Sequence, residues 1–229
     1  MLLFDSFIPS SCLLCNGYVR GLKPLCSGCE NDLPWNSRAC FRCAMPMSTS
    51  NPVCADCLQS PPLFQKAFCA FRYEDPVAGL LNRYKHNGSL ACGHWLAHGL
   101  ADAIAAHYDK AQIALPDCVL PVPLHWRRLR GRGFDQGLEI GKVLARRLKI
   151  PLSTALRRQR HTASQQALSR EQRQRNLAGA FVLREPLAAR RVVLVDDVLT
   201  TGSTANEIAA LLLRAGIEEV QVCAIARTP

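Results

Sequence analysis

The chain has 229 residues, nearly half of them hydrophobic, which is ample for a core in one ordinary domain, or in a domain plus a small module. No run of about 18 apolar residues exists, so no spanning helix is expected, and Met1–Asp5 lacks the basic lead-in of a signal peptide, so a cytoplasmic protein is expected. The net charge of +10 is unevenly placed: Leu120–Arg191 holds 17 Lys and Arg against four acids, a local surplus of +13. Such a field suits a highly charged ligand such as a pyrophosphate ester, or nucleic acid, or simply a solvated surface.

The first sixty residues carry four Cys-x-x-Cys pairs, Cys12/Cys15, Cys26/Cys29, Cys40/Cys43 and Cys54/Cys57, each beginning fourteen residues after the last. Each pair puts two thiolates on one tight turn, and two turns make a tetrahedral cage for Zn2+. A disulfide framework is disfavoured by a reducing compartment, and a redox Cys-x-x-Cys occurs once rather than four times. Eight thiols suffice for one or two structural ions, with sequential or interleaved pairing both open, and the module draws much of its stability from metal. The expected boundary separates residues 1–60 from 61–229, with Leu58–Phe68 as linker.

Beyond the linker, Phe68–Tyr73 reads as a strand. A helix follows Pro76 with Val77, Leu80, Leu81 and Tyr84 on one face, ending near Asn87-Gly88. Lys85 in its last turn either serves the helix dipole or reaches a ligand phosphate. A second helix spans Leu90 to about Tyr108. Asp117–His125 reads as a strand leaving the sheet into a proline-stiffened turn, and Arg127–Gln136 as a mobile glycine-bearing loop whose Arg127, Arg128, Arg130 and Arg132 close over a pyrophosphate. An amphipathic helix runs from Phe134 to about Leu148. Ser169 with Gln172 forms a capping box for a short basic helix, within a polar flap, and Ala180–Leu183 is a short strand. Cys69, Cys92, Cys118 and Cys223 sit in apolar contexts as packing residues.

Val192–Val195 is an unalternating apolar run, β-branched at three of four positions, as in a strand buried on both faces of a parallel sheet. Asp196 and Asp197 end it, the turn Thr200-Thr201-Gly202-Ser203-Thr204 follows, and Ile208, Leu211, Leu212 and Ala215 lie at helical spacing. The opening of that helix suits an anion, Gly202 admits close backbone approach, and two carboxylates accept from paired sugar hydroxyls. A sugar phosphate satisfies both halves. The bland alternative is a strand that ends in a polar cap. Val220–Ala226 is the last strand.

The stretch Val195-Asp-Asp-Val-Leu-Thr-Thr-Gly202 resembles the phosphoribosyl pyrophosphate (PRPP) signature of type I phosphoribosyltransferases. Together with the four cysteine pairs, Leu120-Pro-Val-Pro-Leu124, Arg132-Gly-Phe-Asp-Gln136 and Leu168-Ser-Arg170, it makes the whole chain similar to the ComF/GntX family of competence and DNA-utilisation proteins. In that family the second motif commonly reads Arg-Gly-Phe-Asn-Gln, so Asp135 is a departure. The resemblance implies an α/β fold: a type I phosphoribosyltransferase-like five-stranded parallel sheet with helices on both faces, behind a small zinc-binding module. It implies that Asp196 and Asp197 hold the ribose hydroxyls of PRPP and carry catalysis, that Thr200, Thr201, Gly202, Ser203 and Thr204 enclose the 5-phosphate, and that Mg2+ bridges pyrophosphate and sugar. Lys85, Arg130 and Arg132 are the further anion contacts. Single-stranded DNA and proteins of a DNA-uptake machinery are the implied partners. The competing expectation is a transferase acting on an unidentified nucleobase or nucleotide acceptor, unrelated to DNA.

Overall fold

The computed structural model describes residues 10–19, 24–48, 51–160 and 179–229, without the side chains of Ser10, His86 and Asn87. The capping box at Ser169 and Gln172 lies outside the described residues. In chain order come β1 (Ser10–Ser11), β2 (Tyr18–Val19), α1 (Ser27–Asn31), α2 (Ala55–Gln59), β3 (Lys66–Arg72), α3 (Val77–Asn87), α4 (Leu90–Ala111), β4 (Cys118–Pro121), α5 (Trp126–Arg132), α6 (Gln136–Leu148), β5 (Leu156–Arg158), β6 (Phe181–Leu183), β7 (Arg191–Leu199), α7 (Ser203–Arg214) and β8 (Glu219–Arg227).

The main sheet has four strands in the order β3-β8-β7-β4, all parallel. The expected fifth strand is reduced, among the described residues, to a single parallel bridge from Leu152 to Val119 beyond β4. Alternation along β7 sorts its side chains to two cores. Val193 and Val195 pack with Cys223 and Ile225 under α3, α4 and α6, while Val192 and Leu194 pack with Val222 and Ala224 under α7 and the β5-β6 pair. Helices therefore cover both faces, and every β7 side chain from Val192 to Val195 is at most 2 % exposed, which is why the run shows no alternation of polarity.

Local signals set the helices. Val77, Leu80, Leu81 and Tyr84 are buried along one face of α3, which stops at Gly88 in the left-handed region (φ 63°). Asp135 caps α6, its carboxylate accepting from Leu138 N at 3.1 Å, and it also accepts from Leu124 N at 3.0 Å. Asparagine offers only one such acceptor oxygen, so Asp135 fits a tethering position that anchors the turn after β4.

The cysteine-rich region straddles the edge of the sheet. Cys12, Val19, Leu25 and Leu33 belong to the core under α3 and α4, whereas Ala44 and Phe64 belong to the core under α7. Between them residues 34–36 run antiparallel along β3: Trp35 bridges Phe71, Asn36 N donates to Ala70 O at 2.9 Å, and Arg72 N donates to Pro34 O at 2.8 Å. The segment thereby covers an otherwise open strand edge. The end of the expected linker is likewise part of the sheet. Gln65 N donates to Val220 O, its side-chain carbonyl accepts from Val220 N, and β3 has already begun at Lys66.

Candidate functional site

β7 continues past the acidic pair instead of ending there, because Asp196, Val198 and Leu199 still pair with Ala224, Ala226 and Arg227 of β8. Its period of two sends the neighbouring carboxylates to opposite faces. Asp197 follows Val193 and Val195 to the face of α3, where Lys85 Nζ lies 3.0 Å from its Oδ2. Lys85 is thus held by Asp197. Asp196 follows Val192 and Leu194, and its Oδ1 accepts from Asp197 N at 2.8 Å. Burial, then the adjacent Asp197 charge, raises the Asp196 carboxyl to about 8, with Asp135 adding to the effect and Lys85 opposing it. Once Asp196 is ionised, two carboxylates and one ammonium leave a local negative surplus that fits a divalent cation, and Asp196 and Asp197 are the residues that would hold one.

The turn after β7 brings Thr200, Thr201, Gly202, Ser203 and Thr204 to the C-terminal end of the sheet. Gly202 is in the left-handed region (φ 75°) and opens α7 with no side-chain cap. Thr201 Oγ1 and Ser203 Oγ lie 2.7 Å apart, and Ser203 N donates to Thr201 Oγ1 at 3.3 Å. Thr200 and Thr201 are exposed at the mouth of the turn, beside the opening of α7, where an anion is favoured by the helix dipole.

Arg127–Arg132 is helical, not a mobile loop. His125 Nδ1 accepts from Arg127 N to cap α5, and Gly133 (φ 81°) ends it. Arg132 Nη1 donates to Gln136 Oε1 at 2.7 Å and counters the acidic field that Glu139, Asp197 and Asp135 impose on buried Tyr84. Arg130 instead lies over the ring of Trp126 at 5.1 Å, with Arg127 at 5.3 Å. Trp126 is 49 % exposed, so α5 presents an aromatic face flanked by guanidinium groups. Sequence reasoning passed over Trp126, although its position beside four arginines was the available signal.

The eight cysteines form two clusters by sequential pairing: Cys12, Cys15, Cys26 and Cys29, and Cys40, Cys43, Cys54 and Cys57. In each, all four Sγ atoms lie within 4.8 Å of one another. Zn–S bonds of about 2.3 Å put tetrahedral sulfurs roughly 3.8 Å apart, against 3.8 Å for Cys15–Cys26 and 3.6 Å for Cys43–Cys54. The donor sets fit structural Zn2+, with cysteine filling every position. One thiol in each cluster is acidic. Burial raises Cys12 and Cys40, but N–H donors of the surrounding turns outweigh it and bring them to about 6 and about 7.

The second cluster touches the Thr200–Thr204 turn through Arg227, a residue sequence reasoning did not single out. Its Nε donates to Cys43 O at 2.9 Å and its Nη1 to Leu199 O at 3.2 Å, the carbonyl that begins the turn.

Among the described residues, no helix is long and apolar enough to cross a membrane. Family profiles match in two places: Double zinc ribbon domain at residues 3–70 and Phosphoribosyl transferase domain at residues 135–229. Competence protein F of Haemophilus influenzae is 35 % identical over 227 residues, covering 97 % of this chain and 99 % of its own. DNA utilization protein YhgH of Escherichia coli is 36 % identical over 223 residues, covering 96 % and 98 %. Among solved structures, a purine phosphoribosyltransferase from Pyrococcus horikoshii matches at 20 % identity with a TM-score of 0.37, covering 59 % of this chain and 75 % of the other. With full-length relatives above 30 % identity, a double zinc ribbon and a phosphoribosyltransferase domain in one chain, this protein belongs to the ComF/GntX family of competence and DNA-utilisation proteins.

Proposed function

We propose that the chain acts in DNA uptake or utilisation by binding PRPP with Mg2+ at the end of β7 and single-stranded DNA on its basic surface. The observation that carries the reading is the convergence at one strand end of Asp196, Asp197 and the Thr200–Thr204 turn, a polyol site beside an anion site. Ribose hydroxyls donate to the carboxylates, the turn encloses the 5-phosphate, and Mg2+ offsets the joint charge of carboxylates and pyrophosphate. Arg132, on the α3 side, is the pyrophosphate contact; Arg130, with Trp126, serves the nucleic acid. Base stacking on an exposed aromatic with flanking cations is how single strands are held without sequence preference. Proteins of the uptake machinery are the partners proposed for the assembled complex.

Calorimetric titration of PRPP with Mg2+, with and without a single-stranded oligonucleotide, tests this beside Asp196→Ala and a Trp126→Ala/Arg130→Ala double variant. PRPP binding lost in the first variant, and oligonucleotide binding weakened in the second, are expected. Absence of PRPP binding to the native chain would sink the site assignment. A second reading, transfer of the phosphoribosyl group to an acceptor, is favoured by a cavity of about 380 Å3 that Met45, Phe64, Thr200, Thr201 and Arg227 line beside the turn, and it predicts pyrophosphate release when the acceptor is supplied.

A further inference from the structure

The histidines of the described residues divide by what surrounds them. His107 lies against Phe68 and Tyr108, and His125 caps α5. His94 and His98 have no such role. Both are exposed on α4, and among the described residues neither makes a hydrogen bond, an ion pair or a ring contact. They stand one helical turn apart, so their Cβ atoms share a face at about 5–6 Å from each other.

The helix beneath them is a fixed platform. It runs unbroken over 22 residues, and Cys92, Leu96, Ala97, Leu100 and Ala101 on its other side are buried in the core. Nor do the two residues serve the helix itself. Histidine ranks below alanine and leucine as a helix former, and positions 94 and 98 lie in the first half of α4, far from the last turn where a cationic imidazole would complement the dipole.

Two unpartnered imidazoles at this spacing present a pair of nitrogen donors to one ion. The same spacing sets the two zinc ligands of a His-Glu-x-x-His helix. Here Trp95, Leu96 and Ala97 intervene, with no glutamate to act as a base, so the arrangement is one for binding rather than hydrolysis.

A carboxylate stands one turn further on. Arg147 Nε donates to Asp102 Oδ1 at 2.6 Å, while Oδ2 makes no hydrogen bond among the described residues. An ion between His94 and His98 would lie roughly 9 Å along the axis from Asp102, at 1.5 Å of rise per residue, beyond the reach of so short a side chain. Oδ2 is suited instead to accept from the second ring nitrogen of His98, the pairing that orients metal-bound histidines. Imidazole suits Zn2+, Ni2+ and Cu2+, whereas Mg2+ and Ca2+ take oxygen. Groups of three or more donors within reach of one ion are confined, among the described residues, to the two cysteine clusters, so the histidine pair leaves the remaining coordination positions to water.

We infer that His94 and His98 form a metal site on the open face of α4, separate from both cysteine cages, that takes up a divalent transition ion reversibly, with Asp102 as the positioning residue for His98. The site is independent of the PRPP reading.

The test uses the untagged full chain with both cages loaded with zinc, titrated with Ni2+ alone by calorimetry while retained zinc is measured. We expect one Ni2+ per chain and no release of zinc. His94→Asn and His98→Asn should each weaken binding by about tenfold or more, because one imidazole alone has no chelate partner, and the double variant should abolish it. These exposed substitutions leave the fold intact. Asp102→Asn should weaken binding by roughly threefold to tenfold, and Asp102→Glu should restore most of it. Arg147→Ala, which breaks the same ion pair but keeps the carboxylate, should not weaken it. A native chain that keeps its zinc and takes up no Ni2+, or histidine variants that bind as the native chain does, would overturn the site. Zinc displaced in step with Ni2+ uptake would place the ion in the cages and overturn it equally. Unchanged affinity in Asp102→Asn would strike the role of the carboxylate.

Discussion

Asp196 is the residue whose protonation state bears most directly on the proposed site. Burial and the neighbouring Asp197 charge hold its carboxyl at about 8, so near pH 7 the empty site keeps a proton there. A cation-bearing ligand needs the ionised form, and binding must expel that proton. PRPP–Mg2+ affinity is therefore expected to rise from pH 6 to about 8 and level off above it. Titration at pH 7 in buffers of different ionisation enthalpy should report up to one proton released, and none in Asp196→Asn. A pH-independent affinity with no proton release would refute the assignment. Stability of the empty chain has the opposite sense. A carboxyl whose folded value is raised favours the fold below its unfolded value, near 4, and that contribution is lost as pH rises toward about 8. The acidic pair and the threonine turn were legible because their order along the chain is also their order in space. Arg227 was not, since its meaning lies in Cys43, 184 residues away.

At the scale of elements, the approach of α6 to β4 sets where the turn after β4 stands. A Cβ built at Gly137 would lie 2.7 Å from Val122 O, a backbone atom that cannot step aside. Gly137→Ala should cost about 1–3 kcal/mol through displacement of the helix, read as a lower urea midpoint. Gly131→Ala is the control: it lies in α5 with nothing within 4 Å, and should be neutral or stabilising by up to about 1 kcal/mol. Equal behaviour of the two variants would show that α6 is not pinned there. The same two elements mark the limits of sequence reading. The apolar faces of α3 and α4 and the buried run of β7 announced themselves through period, whereas α5 did not: alternating arginine and glycine look like a loop, and of the two short-range signals that bound the helix, the His125 cap is not among the usual capping residues and the Gly133 stop sits outside any periodic pattern. The weak fifth strand failed for a related reason, because a single bridge at Leu152 leaves no pattern to see.

The molecule as a whole is held by ribbons that clasp the β3 edge from both sides, one in each core. The cysteine spacing foretold two cages but not this asymmetry of position, which gives the two ions different consequences. The first cluster supports the α3 side; the second forms the cavity wall and holds Arg227 through Cys43 O. Loss of either ion removes folding free energy from its ribbon, but only loss of the second should open the ligand site directly. Cys15→Ser and Cys43→Ser are each expected to lower zinc from two ions per chain to one, measured by chelator titration. PRPP–Mg2+ affinity should then fall at least tenfold in Cys43→Ser and by a much smaller factor in Cys15→Ser. Matched losses in the two variants would mean that zinc acts on binding only through global stability, and the second ribbon would lose its place as a wall of the site. A loss confined to Cys43→Ser would make the zinc ribbon and the phosphoribosyltransferase domain a single binding unit, joined at Arg227.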